Sequence, residues 1–202
     1  MGQDILAVTN LGSAASGNTT RQRWKDVNGD QSEYAPTVVT VAAGGAATPS
    51  ANFNRPNDAT PYASGDLVAN TTAAGTVASM QVAVGRMAAG SAILRRMRLS
   101  KSGASLTNAS FRIHLFTSAP TVANGDNGAL SMSGAATYIG RCDITMDQAF
   151  TDGAWGASDL TQPDIEVKLG AGQVIYALIE ARGAYTPIAN ETFTLTIDAL
   201  QD

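Results

Sequence analysis

Charge is scarce in this chain, and basic charge especially so. Only 15% of the 202 residues are charged, and 13 Lys and Arg against 17 Asp and Glu leave a net charge of −4. A general nucleic-acid binder carries the opposite excess, because it must neutralise phosphates; nucleic acid is not an expected partner. Cysteine is rarer still: Cys142 stands alone, which excludes an intramolecular disulfide and a thiolate zinc site. No apolar run approaches the ~20 residues of a membrane span. The opening Met1-Gly2-Gln3-Asp4-Ile5-Leu6 lacks the basic and apolar regions of a signal peptide, and Leu6 stands where a myristoylation motif wants Ser or Thr. These absences predict a soluble protein, kept inside a cell until something releases it, with no membrane partner.

Small residues fill the space that charge leaves. The apolar fraction of 44% contains much Ala, and the chain adds 20 Gly with abundant Ser and Thr. Such side chains make thin layers and tight turns, and they suit closely packed strands better than a helical enzyme. Composition changes near Phe53. Residues 1–52 hold few large apolar side chains; one short strand candidate, Thr37-Val38-Val39-Thr40-Val41, sits among turn formers, and Gly44–Ser50 reads as a flexible linker. Fully extended, a segment of that length reaches roughly 165 Å at ~3.3 Å per residue. It is expected to be an N-terminal arm that orders on a partner, or else a set of extra strands folded onto the body.

From residue 53 to 202 the pattern repeats every two residues. Phe193, Leu195 and Ile197 alternate with Thr192, Thr194, Thr196 and Asp198; Phe111, Ile113 and Leu115 alternate with Arg112 and His114; Cys142, Ile144 and Met146 oppose Asp143 and Thr145. The same reading puts Ile93, Met97 and Leu99 on one face and Leu94, Arg96 and Arg98 on the other, so Arg95 shares the apolar face. Residues 173–182 are apolar on both faces, which predicts a central strand. Turn signals such as Asn124-Gly125, Asp152-Gly153 and Gly170-Ala171-Gly172 separate the runs. About eight strands without helical crossovers call for an all-β, antiparallel β-sandwich, with a jelly roll the preferred topology and an immunoglobulin-like one still open.

Chemistry is poorly provided for. His114, the single histidine, sits mid-strand, where packing or hydrogen bonding is the expected role, and no Gly-x-Ser-x-Gly elbow occurs. Cys142 shares a face with Ile144 and Met146 and reads as a buried thiol. Carboxylates are scattered; Glu180, two residues before Arg182, reads as a paired structural group. Asp26-Val27-Asn28-Gly29-Asp30 begins like a calcium loop, but Gln31 replaces the required Gly and Thr37 the bidentate Glu, leaving an Asx-rich turn. The chain is therefore expected to be no enzyme, with no metal and no cofactor. The densest cationic and aromatic spot is Arg21-Gln22-Arg23-Trp24-Lys25, the composition of a protein-binding anchor.

Several segments have a familiar cast. Tyr62–Asn70, Asn108–Phe116, Asn124-Gly125-Asp126-Asn127-Gly128 and Ile175–Arg182 resemble stretches of structural proteins of tailed bacteriophages, over roughly residues 53–202. The resemblance implies a virion role of the decoration (cement) type: a β-rich homotrimer on the capsid surface, reached after synthesis in the bacterial cytoplasm, that bridges major capsid protein subunits. Arg21, Arg23, Trp24 and Lys25 would anchor the arm, and Thr37, Val38, Val39, Thr40 and Val41 would add a strand to a capsid edge. The alternative is a tail, neck or head-fibre sandwich that binds a host-surface glycan, for which Tyr138, Trp155 and Tyr185 are the aromatics to inspect. A sandwich hydrolase is a distant third.

Overall fold

The computed structural model describes residues 45–159 and 164–201 in full, together with the backbone of four two-residue strands nearer the N-terminus. The chain divides into two compact units, residues 1–43 and 44–202. In the first, β1 (Thr9–Asn10) pairs antiparallel with β2 (Thr20–Arg21), and β3 (Trp24–Lys25) with β4 (Gln31–Ser32).

The second unit is built from β5 (Gly45–Ala47), β6 (Ser50–Asn54), β7 (Leu67–Val68), β8 (Met80–Val82), β9 (Ser91–Lys101), β10 (Ser110–Phe116), β11 (Thr121–Val122), β12 (Met132–Ser133), β13 (Tyr138–Thr145), β14 (Gln148–Phe150), β15 (Gly153–Ala157), β16 (Ile165–Lys168), β17 (Ile175–Ala181) and β18 (Thr192–Gln201). Among the described residues the one helical element is a 3-10 turn at Ala135–Thr137. Every strand pairing is antiparallel. One sheet runs β14, then β15 and β16, then β9, β18, and finally β5 and β6; the other runs β13, β10, β17, then β7 and β8. The fold is an antiparallel β-sandwich.

Its pairing is nested. The strands β5 and β6 pair with β18, β7 and β8 with β17, β9 with β15 and β16, and β10 with β13. The first half of the unit thus lies along the second like one long hairpin, whose tip carries the small β11–β12 ladder. The doubled ribbon is then rolled, so that β9 also meets β18 and β10 also meets β17.

The core lies between the sheets. Leu94, Met97, Leu99, Phe193, Leu195 and Ile197 come from one, and Phe111, Ile113, Leu115, Ile144, Ile175 and Ile179 from the other, all buried in a single cluster. Phe111 meets Phe193 across the gap edge to face at 5.3 Å, and the Cys142 thiol sits 3.1 Å from the Met97 sulfur. Burial pushes that thiol up to about 12, so it stays protonated and inert. A second, smaller cluster of Leu67, Ala69, Phe116, Val122 and Leu178 covers the outer side of the five-stranded sheet. Strand β17 is therefore buried on both faces, as its doubly apolar sequence requires.

Two expectations change here. The register of β9 against β18 slips between Asp198 and Ala199, where Arg96 and Leu94 are the facing residues; Arg95 is the extra residue of a bulge. The bulge inverts the parity of the N-terminal half of β9: Ala92 and Leu94 are buried while Ile93 is 37% exposed, opposite to simple alternation. Arg95 is turned to solvent, where it meets Asp164 at 3.4 Å. Secondly, the boundary at 52/53 falls too late. Residues 45–47, expected in a linker, and 50–54 pair with β18. A sheet edge recruits backbone, which Gly and Ala supply as well as any residue. Pro49 interrupts that ladder because it has no N–H to give, yet its carbonyl accepts from Ile197 N at 3.0 Å and the register holds on either side.

Candidate interaction surface

The outer face of the seven-stranded sheet follows from the same alternation that fills the core. With Phe193, Leu195 and Ile197 turned in, Thr192, Thr194 and Thr196 turn out. Cross-strand register sets neighbours in line: Gln148, Trp155, Ser100, Thr194 and Asn52 form one row across five strands. In the next row Phe150 pairs with Gly153 and Thr192 with Asn54. Ser102 joins them by accepting from Thr192 N through its hydroxyl at 3.0 Å, and the Thr192 hydroxyl donates to Asn54 Oδ1 at 2.8 Å. The result is two rows of mostly hydroxyls and amides with an aromatic edge.

Gly153 gives that edge relief. A Cβ there would stand 2.2 Å from the Lys101 carbonyl oxygen, so the backbone of β15 presses on β9 and no side chain rises from the spot. An open groove of about 370 Å³ results, floored by Ser100, Gly153 and Thr194 and walled by Trp155 and Phe150. Phe150 is 53% exposed. The Arg96 guanidinium lies over the Trp155 ring at 5.6 Å, and Arg98 pairs with Asp198 at 2.6 Å. With Arg95 also facing solvent, the three arginines are not split between the faces as alternation predicted; the bulge is the reason.

Buried charges, by contrast, are spent on one another. Asp126 accepts from Arg55 at 2.6 Å, from the Tyr62 hydroxyl at 2.7 Å and from Ala69 N at 2.8 Å. Lys101, Tyr185 and Glu191 form a second buried group, in which Glu191 Oε1 is bonded and Oε2 is not. On the five-stranded sheet His114 Nε2 lies 2.9 Å from Glu180 Oε2, and Arg182 donates to Oε1 of the same carboxylate at 2.8 Å. Glu180 is the paired carboxylate its spacing from Arg182 suggested. Arg112 grips Asp143 with two bonds, at 2.6 and 2.8 Å. Among the described residues no three His, Cys, Asp or Glu side chains converge as a metal would need.

Titration of His114 should be visible in the stability of the fold. Burial holds the imidazole below its ordinary 6.5, against the pull of Glu180 and with help from Arg112 and Arg141. It is neutral, with Nε2–H donating to Glu180 and Nδ1 accepting from the Tyr138 hydroxyl at 3.2 Å. Burial also works to raise the Glu180 carboxyl, but the bonds from His114 and Arg182 outweigh it and hold the group below the usual range. The unfolded chain takes up the histidine proton first as pH falls. The His114 contribution is then complete above pH 6.5 and is lost as pH drops from there through the lower folded value. Urea titrations across that window should show the wild type losing stability toward acid, and His114→Gln losing less. Parallel curves for the two would contradict this.

Of the residues singled out in sequence, Arg21, Trp24 and Lys25 lie in the short ladders described above as backbone. Arg23 and Thr37, Val38, Val39, Thr40 and Val41 lie outside the described residues. The three aromatics to inspect for a glycan site do not share one surface. Tyr185 is fully buried, Tyr138 is 38% exposed beside the five-stranded sheet, and Trp155 sits on the opposite sheet. Phe150, which completes the groove with Trp155, carries no distinguishing sequence signal.

Fold and surface together define an antiparallel β-sandwich whose seven-stranded sheet has a polar outer face. No protein-family model matches the chain, and no curated protein matches it. Solved structures that resemble it include the infectious bursal disease virus VP2 subviral particle, at 12% identity and a TM-score of 0.20, over 93% of this chain and 49% of that one. Another is a variant of alginate lyase A1-II′, at 12% identity and a TM-score of 0.17, over 91% and 83%. The chain spans about half the length of the VP2 chain. Likeness at these scores adds nothing to the strand pairing itself.

Proposed function

We propose that the protein is a structural component of a tailed-phage virion, a decoration protein that stabilises the capsid by bridging major capsid protein subunits as a homotrimer. The observation that carries this reading is the outer face of the seven-stranded sheet. One row crosses five strands on short or flat uncharged side chains, Gln148, Trp155, Ser100, Thr194 and Asn52. Such a face suits a broad, rigid protein surface. The nested order, in which outer strands pair with outer and inner with inner, is that of a jelly roll, and we read the sandwich as one. Residues 1–43 form a unit of their own and offer a second contact. Two modest contacts on a repeating lattice reinforce each other through effective concentration.

The test is co-sedimentation with particles assembled from major capsid protein. The full chain should pellet to saturation, and a chain of residues 44–202 should remain folded but bind about 100-fold more weakly. Equal binding by the two would remove the first unit from the mechanism; no binding by either would end the proposal.

The groove favours a second reading, a glycan-binding sandwich. Trp155 and Phe150 offer ring faces beside the Ser100 and Thr194 hydroxyls. A glycan array with the wild type and Trp155→Ala separates the two readings, because capsid bridging calls for no glycan signal at all.

A further inference from the structure

Lys101, at the end of β9, points inward, and Glu191, one residue before β18, faces it; both side chains are 0% exposed. Nζ lies 3.4 Å from Glu191 Oε1 and is held there by donating to the Gly103 carbonyl at 2.6 Å and to the Tyr185 hydroxyl at 2.9 Å. Two further donors converge on that same Oε1: the Tyr185 hydroxyl at 2.6 Å and the Gly103 N–H at 3.1 Å. Oε2 is buried and has no partner among the described residues. A carboxylate kept only for a structural ion pair would have both oxygens satisfied. Donors crowded on one oxygen, with the other left bare and an amine alongside, is the layout of an acyl-transfer site.

We propose that Lys101 and Glu191 join in an intramolecular isopeptide bond, made by the folded chain from its own side chains. The ammonium first passes a proton to the carboxylate. The neutral amine then attacks Cδ, forming the N–C bond while charge gathers on Oε1, where Tyr185 and Gly103 stabilise it. Oε2 takes a second proton from the nitrogen and leaves as water, and Oε1 returns to a carbonyl. Of the three ammonium hydrogens, two depart with Oε2 and one remains on the amide; no oxidant or co-reactant is needed. Burial lowers the Lys101 amine against the pull of Glu191, which favours the nucleophilic form. Gly103 leaves room for its N–H to approach: a Cβ there would stand 2.1 Å from Oε1, and the carboxylate would have to move off the N–H. The bond would fasten β9 to β18, which lie side by side at the centre of their sheet, across 90 positions of sequence. It stands independently of what the protein docks to.

Intact-mass measurement on the full, denatured chain decides the matter. The wild type should be lighter than its sequence by one water, and digestion should yield a branched peptide joining Lys101 to Glu191. Lys101→Met should have its full mass. Tyr185→Phe keeps the ring but removes one donor, and should slow the appearance of the deficit about 100-fold. A wild type of full mass overturns the proposal whether or not any variant folds. So does a deficit that persists in Lys101→Met, or one that maps to dehydration at Asp152-Gly153.

Discussion

Replacing Asp126 with alanine is expected to destabilise the second unit by about 3–5 kcal/mol, the cost of breaking a fully buried ion pair. Three donors depend on this carboxylate: Arg55 Nη2, the Tyr62 hydroxyl and Ala69 N. Both side chains of the ion pair are 0% exposed, so water cannot replace the lost partner. Arg55 would keep its bond to the Asp58 carbonyl, at 3.1 Å, but no opposite charge. Burial already works against the Arg55 cation, and only Asp126 and Tyr62 outweigh it. The damage would spread, because Arg55 follows β6 while Asp126 sits in the loop that Ala69 N and Thr71 O tie down. Removing both charges together, as Arg55→Met with Asp126→Leu, should recover most of the loss, since neither charge is then left stranded. Arg112–Asp143 supplies the contrast. Its carboxylate is 53% exposed, and Asp143→Ala should cost no more than about 1 kcal/mol despite two short bonds. Urea unfolding of the three variants beside the wild type measures all of this. A loss below about 1 kcal/mol for Asp126→Ala would mean that the loop relaxes to let water in.

How much of this was readable in advance depended on whether a feature is local. The alternation of β18, from Phe193 to Ile197, gave its faces directly, because side-chain direction in a strand repeats every two residues. The central place of β17 was visible for the same reason. The bulge at Arg95 was not: one extra residue leaves composition unchanged and reverses every assignment on one side of it. Strands β5 and β6 were hidden by their content. Gly45, Ala46 and Ala47 look like a linker, and only the open edge of β18 makes them a strand. The buried polar groups were hidden by distance. Arg55 and Asp126 are 71 positions apart, and Lys101 and Glu191 90. Nothing near either residue distinguishes it from a solvated charge. His114 and Glu180 lie on adjacent strands, and the sequence supports a structural role for each without showing that the two meet.

Phe193→Ala should cost about 3–5 kcal/mol and reveal how the two sheets are coupled. Only 6% of the chain is aromatic, yet four buried rings and the partly buried Phe53 form one chain of contacts. Phe53 stacks on Phe193 at 5.9 Å, Phe193 meets Phe111 at 5.3 Å, Phe111 meets Tyr185 at 5.4 Å, and Tyr185 stacks on Tyr62 at 6.5 Å. The residues around them are mostly Ala, Val, Leu and Ile of rigid strands, which cannot close on a space the size of a ring. Phe193 and Phe111 belong to different sheets, so their edge-to-face contact is a direct tie across the sandwich. A double-mutant cycle with Phe111→Leu and Phe193→Leu should give a coupling of about 0.5–1.5 kcal/mol. By comparison, Ile93→Ala, at a site 37% exposed, should cost much less than any core truncation even though simple alternation would have placed Ile93 inside. If Ile93→Ala proves as damaging as Phe193→Ala, the bulge at Arg95 is absent and β9 before it is one residue out against β18. The outer row from Gln148 to Asn52 lies on the other side of the bulge and would keep its alignment.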